Sequence, residues 1–63
     1  MKGFIKIKDA KNNDCLINIA AIDVVKTGKG AAWNLTVIKS GSELIATPTP
    51  YEEVMKLIAA ANN

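Results

Sequence analysis

The 63-residue chain predicts an α+β fold in which about five short antiparallel strands run in meander order. They would form one curved sheet, either open or curled into a small barrel, with a single C-terminal helix packed on it. Three observations predict this. Apolar residues recur with a period of two across residues 4–47, the spacing turns helical after residue 50, and a helix-start signal, Thr49-Pro50-Tyr51-Glu52, lies at the change.

In residues 4–8, Ile5 and Ile7 point to one side and Lys6 and Lys8 to the other, as a half-buried strand requires. Residues 9–14 (Asp-Ala-Lys-Asn-Asn-Asp) tolerate turn conformations, and residues 15–19 resume an apolar run with Ile17 and Ile19 on a common face. Ala20-Ala21 leads into a β-branched third segment over residues 22–27, where Ile22 and Val24 share a face, and Gly28-Lys29-Gly30 stops it. Trp33, Leu35 and Val37 then alternate with Asn34 and Thr36 to give a fourth strand. A Ser/Gly turn at residues 39–42 joins it as a hairpin to a fifth over residues 43–47. Pro48 has no amide to donate to a ladder, so the sheet ends before it.

Val54, Leu57, Ile58 and Ala61 fall on one stripe of the helix, and Tyr51 extends the stripe toward its start. The Thr49 hydroxyl is expected to accept from the Glu52 N–H while the Glu52 carboxylate reaches back, with Pro50 at the first helical position. Glu52 and Glu53 stand at the positive end of the helix dipole. The face predicted beneath this helix comprises Ile5, Ile7, Ile17, Ile19, Ile22, Val24, Trp33, Leu35, Val37 and Leu44.

With those positions assigned, the opposite face still carries Phe4, Leu16, Val25, Ile38 and Ile45. A solvated sheet face is ordinarily more uniformly polar, and apolar patches of this kind mark contacts with another chain. These five residues are therefore the candidate protein interface, for self-association or for a different protein partner. Curling of the sheet, or termini folded over this face, would bury the same side chains without a partner.

Length and composition narrow the field. No linker or repeat divides residues 1–63, so one domain is expected, near the lower size limit at which a core offsets chain entropy. Cys15 is the only cysteine and histidine is absent, so disulfides and thiol- or histidine-rich metal centres are not expected; association is the remaining route to extra stability. No metal or cofactor is expected. The 49% hydrophobic content and alternating pattern predict a folded chain. No apolar run suits a signal peptide or approaches the about 18 residues of a membrane span, and a lone cysteine agrees with a reducing compartment. The expected location is cytoplasmic, with no membrane partner, and the triplet Asn34-Leu35-Thr36 then carries no glycan.

Candidate chemistry is sparse. Nucleophilic catalysis lacks its usual base, and Cys15, in an apolar strand beside Asp14, reads as a small hydrophobe. The carboxylates fall in predicted turns or on an exposed helix face, which suits solvation better than paired acid–base work. Thr27-Gly28-Lys29-Gly30 lacks the spacing of a phosphate loop and precedes a strand, and residues 9–14 lack the glycine and terminal glutamate of a calcium loop. No enzymatic activity is expected.

Nucleic acid is the alternative partner. Lys2, Lys6 and Lys8 line one side of the first strand, and Lys26 and Lys29 approach the turn before Trp33, where ammonium groups could neutralise phosphates while the indole stacks on a base. A formal charge of +2 without any arginine is weak support for it. Trp33, in phase with Leu35 and Val37, reads as core, and edge lysines also guard a sheet against aggregation.

The segment Ile17-Asn18-Ile19-Ala20-Ala21-Ile22, a following strand, the glycine-bearing hairpin at residues 39–43 and the helix Glu52-Glu53-Val54-Met55-Lys56-Leu57-Ile58 together resemble the FlbD-like family of very small bacterial flagellar-operon proteins and similar short phage-encoded proteins. The similarity spans nearly the whole chain and rests on its hydrophobic pattern, one asparagine and a glutamate pair. Gly28-Lys29-Gly30 and the prolines at 48 and 50 depart from that pattern. The resemblance implies a cytoplasmic accessory protein without enzymatic residues and supplies no site. The expected function is thus a small non-enzymatic interaction protein, acting as a homo-oligomer or through a protein partner, with lysine-mediated single-strand nucleic-acid binding as the alternative.

Overall fold

The computed structural model describes residues 3–62. Among these residues five strands, β1 (Phe4–Lys8), β2 (Asp14–Asn18), β3 (Ile22–Thr27), β4 (Thr36–Ser40) and β5 (Glu43–Thr47), precede one α-helix, α1 (Tyr51–Ala61). All pairings are antiparallel, but the strands form two sheets, β1-β2 and β3-β4-β5, in place of the single sheet expected, and neither closes into a barrel.

The division has a local cause. After β2, Asn18 Oδ1 accepts from the Ala20 N–H at 3.0 Å and caps a 3₁₀ turn, Ile19–Ala21, which Ile22 closes by donating to the Ile19 carbonyl. A tight hairpin would need residues that accept positive φ, and Ile19-Ala20-Ala21 has none. The chain therefore leaves the first sheet instead of folding back on β2. By contrast, Gly41 adopts φ 61° in the two-residue turn between β4 and β5, the conformation that turns a right-twisted hairpin. The Asp9 carboxylate organises the β1–β2 turn by accepting from the Lys11 and Asn13 N–H groups at 2.9 and 2.8 Å, while Asn12 takes a positive φ of 68°.

Ile5, Ile7, Ile17, Ile38 and Val54 form the buried core, with Cys15, Ile19, Ile22, Val25, Ile45, Leu57, Ile58 and Ala61 packed around it. The helix supplies Val54, Leu57, Ile58 and Ala61 of the predicted stripe and packs chiefly against β1 and β3, whereas Tyr51, expected to extend the stripe, is exposed. It starts differently from expectation. Pro50 is the N-cap and makes no side-chain bond, and Val54 N–H donates to the Pro50 carbonyl at 3.0 Å. The Thr49 hydroxyl instead lies 3.2 Å from that of Thr47, so the Thr49–Glu52 capping box does not form.

The sheets are tied at one corner. The Thr47 hydroxyl, fully buried, donates to the Lys8 carbonyl at 2.6 Å, and the Ala10 N–H donates to the Ala46 carbonyl at 2.8 Å. Among the described residues, no helix is long and apolar enough to cross a membrane.

Candidate interaction surface

Alternation sets the faces of the three-stranded sheet. Thr36 and Ile38 on β4 and Ile45 and Thr47 on β5 turn toward the core, so Val37, Lys39, Leu44 and Ala46 turn away. On β3 an irregularity between Ile22 and Val24 shifts the phase, and both Ile22 and Val25 reach the core. The outer side then carries two cross-strand rows, Val24-Lys39-Leu44 and Lys26-Val37-Ala46.

This reverses the faces expected for β4 and β5 and, beyond the irregularity, for β3, whose Ile22 reaches the core as expected. Of the five interface candidates, Ile38 is 0% exposed, and Val25 and Ile45 pack against the core, so none of these three is a free surface in the folded subunit. Phe4 is half-buried on β1, and only Leu16, 59% exposed, presents a largely open side chain. Val24, Trp33 and Leu44, assigned to the core by sequence, are 44%, 75% and 71% exposed. Leu35 and Val37 are intermediate.

Trp33 is the source of much of the error. It follows a 3₁₀ turn, Gly30–Ala32, and donates its N–H to the Gly30 carbonyl at 3.2 Å, ahead of the strand that starts at Thr36. Its phase therefore says nothing about the strand. Two buried threonines, Thr36 and Thr47, are the signal that would have corrected the faces: each hydroxyl finds a backbone carbonyl, Thr36 that of Thr49 at 2.7 Å.

The lysines do not converge on one site. Lys26 and Lys29 line a hollow with Thr27, Gly28 and Val37 at the end of the sheet from which the Trp33 turn departs, whereas Lys6 and Lys8 border a different hollow beside Glu53 and Leu57. Lys8 Nζ is held 2.9 Å from Asp14 Oδ1, and this hydrogen bond, followed by the ammonium charge, keeps the Asp14 carboxyl below its ordinary titration range. Asp9 is likewise lowered, first by the Asn13 N–H, with its own loss of hydration opposing. Lys2 lies outside the described residues.

A third recess separates the sheets where they are not tied. It is a cleft of about 520 Å³ lined by Cys15, Leu16 and Ile17 of β2, by residues 43–46 of β5 and by the 9–11 turn. Cys15 is a free, half-buried thiol. Among the described residues, no group of three or more histidine, cysteine, aspartate or glutamate side chains is gathered as a metal would need. No family model, curated protein or solved structure matches the chain.

Proposed function

We propose that this chain is a small, non-enzymatic interaction protein of the cytoplasm that works by associating with itself or with a larger protein partner. The observation that carries this reading is the outer side of β3-β4-β5, where Val24 and Leu44 stand exposed in one row with Lys39 between them. Covering such a row removes apolar area from water at about 25 cal/mol per Å². A chain with five buried apolar side chains among the described residues has much to gain from that burial. The resemblance to FlbD-like proteins supports the same accessory role.

Light scattering on a sizing column tests it. The native protein is expected to run as a dimer or larger at micromolar concentration, and Leu44→Lys to weaken association by about tenfold or more through one buried charge. A strictly monomeric native species over the same range removes self-association and leaves the partner arm.

A second reading has its own support. Trp33 is open to solvent in the turn leading from a hollow bordered by Lys26 and Lys29, an arrangement that suits base stacking with phosphate neutralisation. Titrating oligothymidylate at two salt concentrations should then quench the indole and weaken steeply with salt. An unchanged emission at low salt retires it.

A further inference from the structure

The backbone along the cleft between β2 and β5 presents free hydrogen-bonding groups on two strand edges. Ile19 N–H donates to the Gly3 carbonyl and Asp9 N–H to the Asn13 carbonyl, in the same register that pairs Ile5 with Ile17 and Ile7 with Cys15. Antiparallel pairs alternate between bonded and non-bonded, so the N–H and C=O groups of Asp14, Leu16 and Asn18 point away from β1. On β5, Ala46 accepts from Ala10 outside the sheet, which fixes the phase there, and the N–H and C=O of Leu44 point out along the same edge. Leu16 and Leu44 both line the cleft. The β2 edge thus offers groups at alternate residues, roughly 6.6 Å apart, the repeat at which an extended chain presents its own, and the β5 edge adds those of Leu44 beside the occupied Ala46 carbonyl.

We infer that this cleft receives an extended segment of another polypeptide, which adds as a strand between β2 and β5 and joins the two sheets. The inference rests on the interaction reading above and gives it a mode of docking. A folded second copy cannot fill the role. Every described strand is already paired along at least one edge, whereas the occupant needs both edges free. The lining sets the occupant's chemistry: Cys15, Ile17 and Ile45 lie toward the core while Leu16 and Leu44 stand exposed, which calls for apolar residues in the strand. Glu43, at the end of β5 away from the Ala10–Ala46 bond, is exposed and has no ion-pair partner among the described residues, so it favours a lysine or arginine on the segment there.

The test pans the full chain against a phage-displayed library of random peptides and follows the enriched peptide, made synthetically, by amide NMR and hydrogen exchange. Exchange at the Leu16 and Leu44 amides is expected to slow on binding. N-methylating the peptide's alternate amides should weaken it by about tenfold or more for each edge bond lost, with the protein itself untouched. Glu43→Lys should weaken a peptide bearing a cation at that end, and Lys26→Ala should not. Peptides that bind without protecting either amide, or that tolerate N-methylation, overturn the cleft while leaving the interaction reading standing. A monomeric protein that enriches no peptide overturns the cleft and, with it, self-association, and leaves of the interaction reading only a folded partner on the outer side of β3-β4-β5.

Discussion

Ile38→Ala is expected to destabilise the protein by about 3 kcal/mol or more, and Leu44→Ala by less than about 0.5 kcal/mol, although the sequence pattern places Leu44 inside and Ile38 outside. Ile38 has no solvent exposure and sits in the cluster with Ile5, Ile7, Ile17 and Val54, so truncating it loses both transfer energy and the packing around the cavity left behind. Leu44 is largely hydrated already, and its truncation returns little surface to water. In a domain of this size each kcal/mol moves the melting midpoint by about 4–8 °C, so Ile38→Ala should shift it by more than about 12 °C. Urea and thermal unfolding of both variants, followed by far-ultraviolet circular dichroism, measure the contrast. The measurement belongs at a concentration where the native protein is monomeric, so that lost association does not enter the Leu44 value. Equal losses at the two positions, or a larger loss at Leu44, would restore the opposite facing of β4 and β5 and remove the exposed row on which the interaction reading stands.

The contrast shows which parts of this fold are legible in the residues. In β1, strict alternation of isoleucine with lysine leaves one choice, and Ile5 and Ile7 are buried as read. The bounds of β1, β3 and β5 also follow from their flanking glycine, proline and polar clusters. In β3, β4 and β5, however, the apolar residues come as adjacent doublets, Val24-Val25, Val37-Ile38 and Leu44-Ile45, and either member can face the core. Period alone cannot decide such cases. The decision falls to long-range terms: the irregularity at Ile22–Val24, the site offered to Thr36 by the Thr49 carbonyl, and the helix that packs on β1 and β3. The divided sheet is equally hidden, because Ile19 followed by Ala20 and Ala21 reads as the end of a strand and gives no sign of the direction the chain then takes. The cleft between β2 and β5 exists only because of that division. No local pattern could have announced it.

Thr47→Val carries the second largest expected effect, about 2 kcal/mol of lost stability, although valine matches threonine in shape and is the more apolar. The position is fully buried, which on transfer grounds favours the substitution. Against this, the hydroxyl donates to the Lys8 carbonyl at 2.6 Å and accepts from the Thr49 N–H at 3.2 Å, and valine leaves both backbone groups without that partner. An orphaned buried backbone group costs about 1–3 kcal/mol, more than one exchanged methyl returns. The Lys8 bond also joins β5 to β1 across the two sheets, next to the Ala10–Ala46 bond that closes one end of the cleft. Thr47→Val should therefore speed hydrogen exchange at the Ala10 amide more than at Ile5 or Ile38, a pattern that uniform destabilisation would not give. Thr36→Val removes the hydroxyl bonded to the Thr49 carbonyl at 2.7 Å, and because both threonines anchor the same residue, the double variant should lose less than the sum of the two. A neutral or stabilising Thr47→Val with an unchanged Ala10 rate would mean that water satisfies the Lys8 carbonyl, and that apolar packing and the Ala10–Ala46 bond hold the sheets without it.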